Sequence, residues 1–407
     1  MKIISSKYTY IDSEYKKDVA VAFDKNIVKI ATLDELKAEF PNAQLITYPN
    51  NSVIYPGFIN SHVHLEFSAN RATLKYGDFI SWLYSVIENR EELVSKLNED
   101  LIKEKAQEML KSGVTTFGAI SSYGAELEMC AKLEQRVIFF NEVIGSNPAA
   151  IDALFNDFKN RVAESMELKS DTLIPAIAIH SPYSVHPFLI REVLNIAKSQ
   201  NLITTAHFLE SQAEREWLES SSGNFLDFFK NFSNTTQAVT TIEEFLNAFK
   251  NIPTLFTHAV QIKESEIETI NKNGHSVIHC PRSNRLLGCG RAPIEYIDRV
   301  LLGTDGLSSN YSLNILEEMR SALNMHFQAD LNKLATRLIE SVTTTASNAL
   351  NLKIGKIEPE YWADFAIFTL PDDLKYKDKG SLALHTIINC ESADSVYIGG
   401  EELRVKN

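Results

Sequence analysis

No apolar run in this chain is long enough to cross a bilayer, and the opening "MKIISSKYTYIDSEYKK" lacks the apolar stretch of a signal peptide. A cytoplasmic location is therefore expected. Basic residues are in deficit: 40 Lys and Arg stand against 53 Asp and Glu, a formal net charge of −13. An acidic chain without a basic patch argues against nucleic acid or an anionic membrane as partner. Cysteine is scarce. Cys130, Cys280, Cys289 and Cys390 are scattered and form no CxxC pair, so reduced thiols are expected. Internal repeats and low-complexity segments are also missing.

What remains is a chain able to build a sizeable core. Of 407 residues, 44% are hydrophobic. Barrels with insertions reach this length as one catalytic domain with a small companion. Both ends read as β: "DVAVAFDKNIVKIA" and "DSVYIGGEEL" alternate, the latter around a Gly399–Gly400 turn, and "ADFAIFTL" is a further short strand. The termini are expected to meet in one small sheet domain.

In the middle, eight β-rich runs alternate with helical stretches. They are "SVIYPGFIN", "VTTFGAI", "RVIFFNEVIG", "TLIPAIAIH", "NLITTAHF", "PTLFTHAV", "HSVIHCP" and "RVLLGTDG". The stretch "EELVSKLNEDLIKEKAQEML" reads as one helix, with Leu93, Leu97, Leu101, Ala106, Met109 and Leu110 as its apolar stripe and Gly113 as C-cap. Eight β-then-α units predict an α/β fold, a closed (β/α)8 TIM barrel; a doubly wound sheet is the runner-up. Residues 211–250, rich in Phe, look like an insertion after the fifth strand.

Active sites of such barrels lie at the C-terminal ends of the strands, so the residues that end each run matter most. The first run ends in Asn60, Ser61, His62, Val63 and His64, the third near Glu142, the fourth in His180. The fifth ends in His207 with Glu210 three later, the sixth in His258, the seventh in His279 and Cys280, the eighth in Asp305. One such histidine is ordinarily a hydrogen-bonded core residue; histidines at several strand ends of one mouth are not. In an extended segment alternate side chains share a face, about 6 to 7 Å apart, so His62 and His64 can reach one ion. With His207 and Asp305 they make three imidazoles and a carboxylate, a set suited to one divalent metal ion, zinc or iron, with a position left for water. Glu66 in "HLE" does not belong to the other zinc-deaminase signature, because that needs a PCxxC which this chain lacks. It is expected at the pocket rim or behind a metal ligand.

These motifs resemble the amidohydrolase superfamily over essentially the whole chain. "PGFINSHVHLEF" is similar to its signature after the first strand, and "IGKIEPEYWADFAIF" to its re-entry into a small β-sandwich. The resemblance implies a β-sandwich built from residues 1–55 and 350–407 and a catalytic barrel over 56–349. "HSPYSV", "HFLES", "CPRSNRLL" and "GTDGLSSN" are closest to the aminohydrolase branch, which deaminates adenine-type nucleosides and triazines. By that likeness the metal ligands fall on His62, His64, His207 and Asp305, the proton-shuttling carboxylate on Glu210 and the water-orienting imidazole on His258. The fourth run offers His180 and no lysine, which implies one metal per chain, with His180 touching the substrate's sugar or ring.

The implied activity is that of a hydrolase acting on the C–N bond of a cyclic amidine, with a small-molecule nucleoside as partner. Adenosine, methylthioadenosine and S-adenosylhomocysteine stay open as substrates, as does hydrolysis of a cyclic amide or chlorinated triazine. Homodimerisation is left open too. Deaminases of adenosine derivatives in this branch carry a glutamate just before a Trp-Leu pair, for the ribose; here Ile80 and Ser81 precede Trp82. Glu142, near the end of the third run, is the candidate substitute, the alternative being a supporting or surface carboxylate. A nucleoside with a large carboxylated 5′ substituent needs an apolar slot, expected from Phe67, Trp82 and the phenylalanines of 211–250. It also needs a cation, expected from Arg282 or Arg285, which follow the seventh strand on the catalytic side. Arg136 begins a strand and falls at the wrong end.

Overall fold

The computed structural model describes residues 1–403. The chain divides into two compact units, one made of Met1–Ser61, Glu104–Phe117 and the segment from Asn314 onward, the other of His62–Lys103 and Gly118–Leu313.

In the first unit the termini do share a sheet. Its six strands run in the order Glu401–Leu403, Ser395–Ile398, Phe365–Thr369, Ser52–Pro56, Tyr8–Ile11, Glu14–Lys17, and a four-stranded sheet joins Ile27–Ala31, Ala20–Phe23, Lys2–Ser5 and Gln44–Thr47. Alternation along these strands gives each sheet one apolar face. Ile4, Val21 and Phe23 from one and Ile54, Phe365 and Tyr397 from the other meet in a common core, with the Phe23 and Phe365 rings 5.1 Å apart edge to face. Two apolar faces packed in this way make a sandwich.

The other sheet has eight strands in strict chain order: β1 (Phe58–Val63), β2 (Val114–Ser121), β3 (Arg136–Val143), β4 (Leu173–Ile179), β5 (Thr204–Phe208), β6 (Thr254–His258), β7 (Ser276–His279) and β8 (Val300–Leu302). From β3 to β8 each strand pairs with the next in parallel. Asp305 N–H, just beyond β8, donates to the His62 carbonyl at 3.0 Å and so ties the last strand back to the first. This is the (β/α)8 barrel expected, with one barrel strand from each of the eight runs.

Two local readings need correction. "SVIYPGFIN" is not one strand. Ser52–Pro56 belongs to the six-stranded sheet, and the chain changes sheet at Gly57. A Cβ there would lie 2.1 Å from Thr115 Oγ1, so the corner admits only glycine. Gly57→Ala should destabilise the protein by about 1–3 kcal/mol, the range for overpacking, and thermal denaturation measures it. The helix over residues 91–110 is likewise two, α1 (Phe79–Ser95) and α2 (Glu99–Lys111). Asn98 interrupts it: its side-chain oxygen accepts from Leu101 N–H at 3.0 Å and caps the second helix. The predicted C-cap Gly113 does take a left-handed φ of +90°.

The 211–250 segment folds as three helices, α3 (Gln212–Ser220), α4 (Asn224–Ser233) and α5 (Ile242–Ala248). Phe225 and Phe229 of α4 are buried, with ring centroids 4.7 and 6.4 Å from that of Tyr183.

Candidate active site

A cavity open toward solvent, about 160 Å³ in volume, lies at the C-terminal strand ends. It is lined by His64, Glu142, His180, His207, Glu210, His258 and Asp305 among others. His62 lies beneath, 1% exposed, with Nε2 3.6 Å from Asp305 Oδ1. The residues singled out from β1, β3, β4, β5, β6 and β8 thus converge. His279 does not line the cavity; it is fully buried.

Donor groups meet at the cavity floor in two sets that share His62, one with His64 and His207 and one with His258 and Asp305, the ligand atoms of each set within 4.8 Å of one another. His64 Nε2 is 3.3 Å from His207 Nε2 and 3.8 Å from Asp305 Oδ1. His207 Nδ1 sits 2.8 Å from the His180 carbonyl, which can only accept, so Nδ1 carries the hydrogen and Nε2 presents its lone pair to His64. Two ligands about 2.05 Å from a tetrahedral ion stand about 3.3 Å apart, so this spacing fits a shared divalent cation. His62 Nε2 is a buried nitrogen without a hydrogen-bond partner, as a ligand atom would be.

Electrostatics point the same way. Burial pushes the His62 imidazole down to about 4 and His207 well below its usual value, aided for His207 by the neighbouring imidazoles, so both are neutral and ligand-ready. His64 is the exception: burial opposes its charge, but the Glu66 hydrogen bond and the charges of Asp305, Glu142 and Glu66 raise it to about 9. The same negative surroundings favour any cation at that point. Asp305 is buried yet held well below the carboxylate range by His62 and the other imidazoles, so it is ionised.

Asp305 is also fixed mechanically. Ser283 and Ser309 hydroxyls donate to its Oδ2 at 2.8 and 2.9 Å, and Gly306 N–H to its Oδ1 at 2.8 Å. Asp305 and His258 both adopt left-handed backbone, φ +58° and +72°. Such strain in non-glycine residues persists where the surroundings impose it, and it clusters at functional sites. Gly306 touches the site from behind: a Cβ there would come within 2.7 Å of both the Cβ and the carbonyl of His64.

Beside this cluster stand Glu210 and His258. His258 Nδ1 is 2.9 Å from Asn284 Oδ1, so its Nε2 lone pair points into the site, 3.6 Å from Glu210 Oε1 and 3.8 Å from Asp305 Oδ2. Burial lowers its pKa and keeps it neutral. Glu210 is held by its backbone: the amides of Leu209 and Glu210 donate to the buried Glu214 carboxylate at 3.0 and 2.8 Å. Burial, then the charges of Asp305 and Glu214, push the Glu210 carboxyl well above the usual range.

Glu142 and Glu66 share one hydroxyl. Ser122 Oγ lies 2.9 Å from Glu142 Oε2 and 2.8 Å from Glu66 Oε1. A hydroxyl has one proton, so both contacts are hydrogen bonds only when one carboxyl carries a proton of its own. Burial, with the Glu66 charge adding, pushes Glu142 up to about 7 against the pull of His64. His180 is anchored by Ser184 Oγ, 2.5 Å from its Nδ1.

The structure does not bring every expected residue here. Arg282 is 3% exposed, donates to the Ser312 carbonyl at 2.8 Å and lies over the Tyr311 ring; Arg285 is exposed. Neither lines the cavity. The helix beginning at Pro281 turns both away directly after β7. Phe67 and Trp82 do line it, but the phenylalanines of α4 pack behind Tyr183 instead. Sequence reasoning missed Arg90, Ser122, Tyr183, Glu214 and Ser309. Of these only Arg90 left a signal, its helical spacing from Trp82 and Val86.

The chain belongs to the amidohydrolase family, whose model matches residues 53–403. Among its relatives it is 44% identical to the aminodeoxyfutalosine deaminase of a Nitratiruptor species, over 95% of each chain. It is 32% identical to a Helicobacter pylori adenosine deaminase over 96% of each. The crystal structure of Helicobacter pylori aminofutalosine deaminase in complex with methylthio-coformycin superposes with a TM-score of 0.92 at 30% identity, covering 99% of this chain and 100% of that one. All four cysteines are free and buried, and no helix among the described residues is long and apolar enough to cross a membrane.

Proposed function

We propose that this chain is a cytoplasmic, metal-dependent deaminase that converts 6-amino-6-deoxyfutalosine to futalosine and ammonia on a route to menaquinone. One observation carries the reading. In a chain 44% identical to an aminodeoxyfutalosine deaminase, a buried carboxyl made more basic by its surroundings, Glu210, and a neutral imidazole, His258, stand together beside three further imidazoles and an ionised Asp305.

His62, His64, His207 and Asp305 would hold one divalent ion, zinc or iron, whose contribution when bound is to lower the pKa of water to about 7. The rest is the work of side chains. His258, its tautomer set by Asn284, accepts a hydrogen bond from the attacking water and fixes its direction. Glu210 takes a proton from that water and delivers it to the ring nitrogen next to the amine-bearing carbon. As the new C–O bond forms, the ring C=N electrons move onto that nitrogen, which takes the proton. Asp305 accepts the hydrogen bond of the remaining O–H. Protonation of the amine, relayed by Glu210 or Asp305, lets the C–N bond break, and ammonia leaves as the carbonyl forms. Positioned proton transfer of this kind contributes about 10²- to 10⁴-fold. Glu142 takes the ribose hydroxyls in place of the glutamate missing before Trp82, and His180 touches the sugar or ring.

The test is ammonia release from aminofutalosine, methylthioadenosine, adenosine and cytosine, with protein of known metal content. Aminofutalosine should be fastest. Cytosine as the best substrate would overturn the nucleoside reading.

A further inference from the structure

We propose that Arg90 is the specificity-determining cation of this pocket, binding a carboxylate at the far end of a nucleoside's 5′ substituent. The inference deepens the proposed function and rests on it. Trp82, Leu83, Val86, Ile87 and Arg90 of α1 line the cavity. Their spacing, i, i+1, i+4, i+5 and i+8, puts them on one face of the helix. Eight residues at 1.5 Å each make that face about 12 Å long. It starts at Trp82, whose indole N–H donates to the Ser308 carbonyl at 2.8 Å, three residues past Asp305. It ends at Arg90. The adenine end of a substrate must face the Asp305 side, because ammonia leaves there. A 5′ arm laid along α1 then meets four mainly apolar side chains and, after them, a guanidinium.

Charge points an anionic arm that leads away from the floor to the same residue. Arg90 is the one lysine or arginine among the described residues lining the cavity, and the lining carries four carboxyl groups, Glu66, Glu142, Glu210 and Asp305. Away from the metal-ligand cluster at the floor, where the adenine sits, a ligand carboxylate is repelled by these groups and attracted by Arg90. Arg161, which does not line the cavity, is engaged by Asp157 and the Glu142 carbonyl. Among the described residues Arg90 has no carboxylate partner; its contact is the Tyr123 ring, 4.0 Å from the guanidinium carbon to the centroid. Stacking fixes the plane of the guanidinium and leaves its N–H edge free for the bidentate bond that carboxylates make with arginine.

The experiment measures kcat and KM for aminofutalosine and methylthioadenosine in wild type, Arg90→Met, Arg90→Lys and Tyr123→Leu. The arm of methylthioadenosine is short and uncharged. Arg90→Met should raise KM for aminofutalosine about 10- to 100-fold more than for methylthioadenosine, the worth of a charge-assisted hydrogen bond, with the ratio of kcat values little moved. Arg90→Lys should recover part of the discrimination, and Tyr123→Leu should erode it about two- to fivefold. If Arg90→Met shifts both KM values equally, or neither, the assignment is wrong while the proposed function stands. A wild-type protein that releases ammonia from neither nucleoside overturns the proposed function and this inference with it.

Discussion

Glu210→Gln should lower kcat by about 10²- to 10⁴-fold and leave the metal content of the protein unchanged. Glutamine has the same shape, and the backbone that carries residue 210 is held by Glu214 through the amides of Leu209 and Glu210, contacts the substitution does not touch. What disappears is the ability to take a proton from water and hand it to the ring. The wild-type carboxyl suits that task because burial and two negative neighbours make it hold a proton more tightly than a solvated glutamate does. A factor of 10³ corresponds to about 4 kcal/mol of barrier, far more than the loss of one neutral hydrogen bond explains. Steady-state ammonia release and metal analysis on the same sample decide the matter. Turnover at the wild-type rate sinks the proton-transfer role. Loss of metal together with turnover would make Glu210 a ligand instead.

The barrel and the floor of its cavity were legible in the sequence because they depend on local order. A strand end is marked by where an apolar run stops, and alternation alone puts His62 and His64 on one face. His207, His258 and Asp305 needed no more than their places after the fifth, sixth and eighth runs. Residues whose roles depend on how distant segments fold were not legible. Arg282 and Arg285 follow β7 on the catalytic side, yet the helix starting at Pro281 carries Arg282 to the Ser312 carbonyl and Arg285 to the surface. Arg90 lies well beyond β1, and only the placement of α1 along the cavity makes it a wall residue. The same holds for Ser122, which nothing in a sequence marks as the bridge between Glu66 and Glu142. Asn98 and Gly57 are a different case. Their effects are local, but a helix stripe that continues across a cap and an apolar run that continues across a corner hide the break.

Replacement of His207 by Ala should cost the protein its metal and its activity together. His207 is the imidazole whose lone pair is most firmly set, by the bond from Nδ1 to the His180 carbonyl, and its Nε2 stands at ligand spacing from His64. Losing a group that merely supports a ligand typically costs 10- to 100-fold in metal affinity, so losing the ligand itself should cost at least about 100-fold. Alanine supplies no donor atom, and the three groups left, His62, His64 and Asp305, would have to complete the coordination with water. The protein should still fold: His207 lies at the C-terminal end of β5, where the backbone pairing to β6 does not involve its side chain. Circular dichroism and thermal denaturation check that point. Equilibrium dialysis against zinc and against ferrous iron then gives the affinity directly, without reliance on turnover. One tightly bound ion per chain and normal activity in a folded His207→Ala protein would show that the cluster does not coordinate through this residue, and the four-ligand assignment would fall with it.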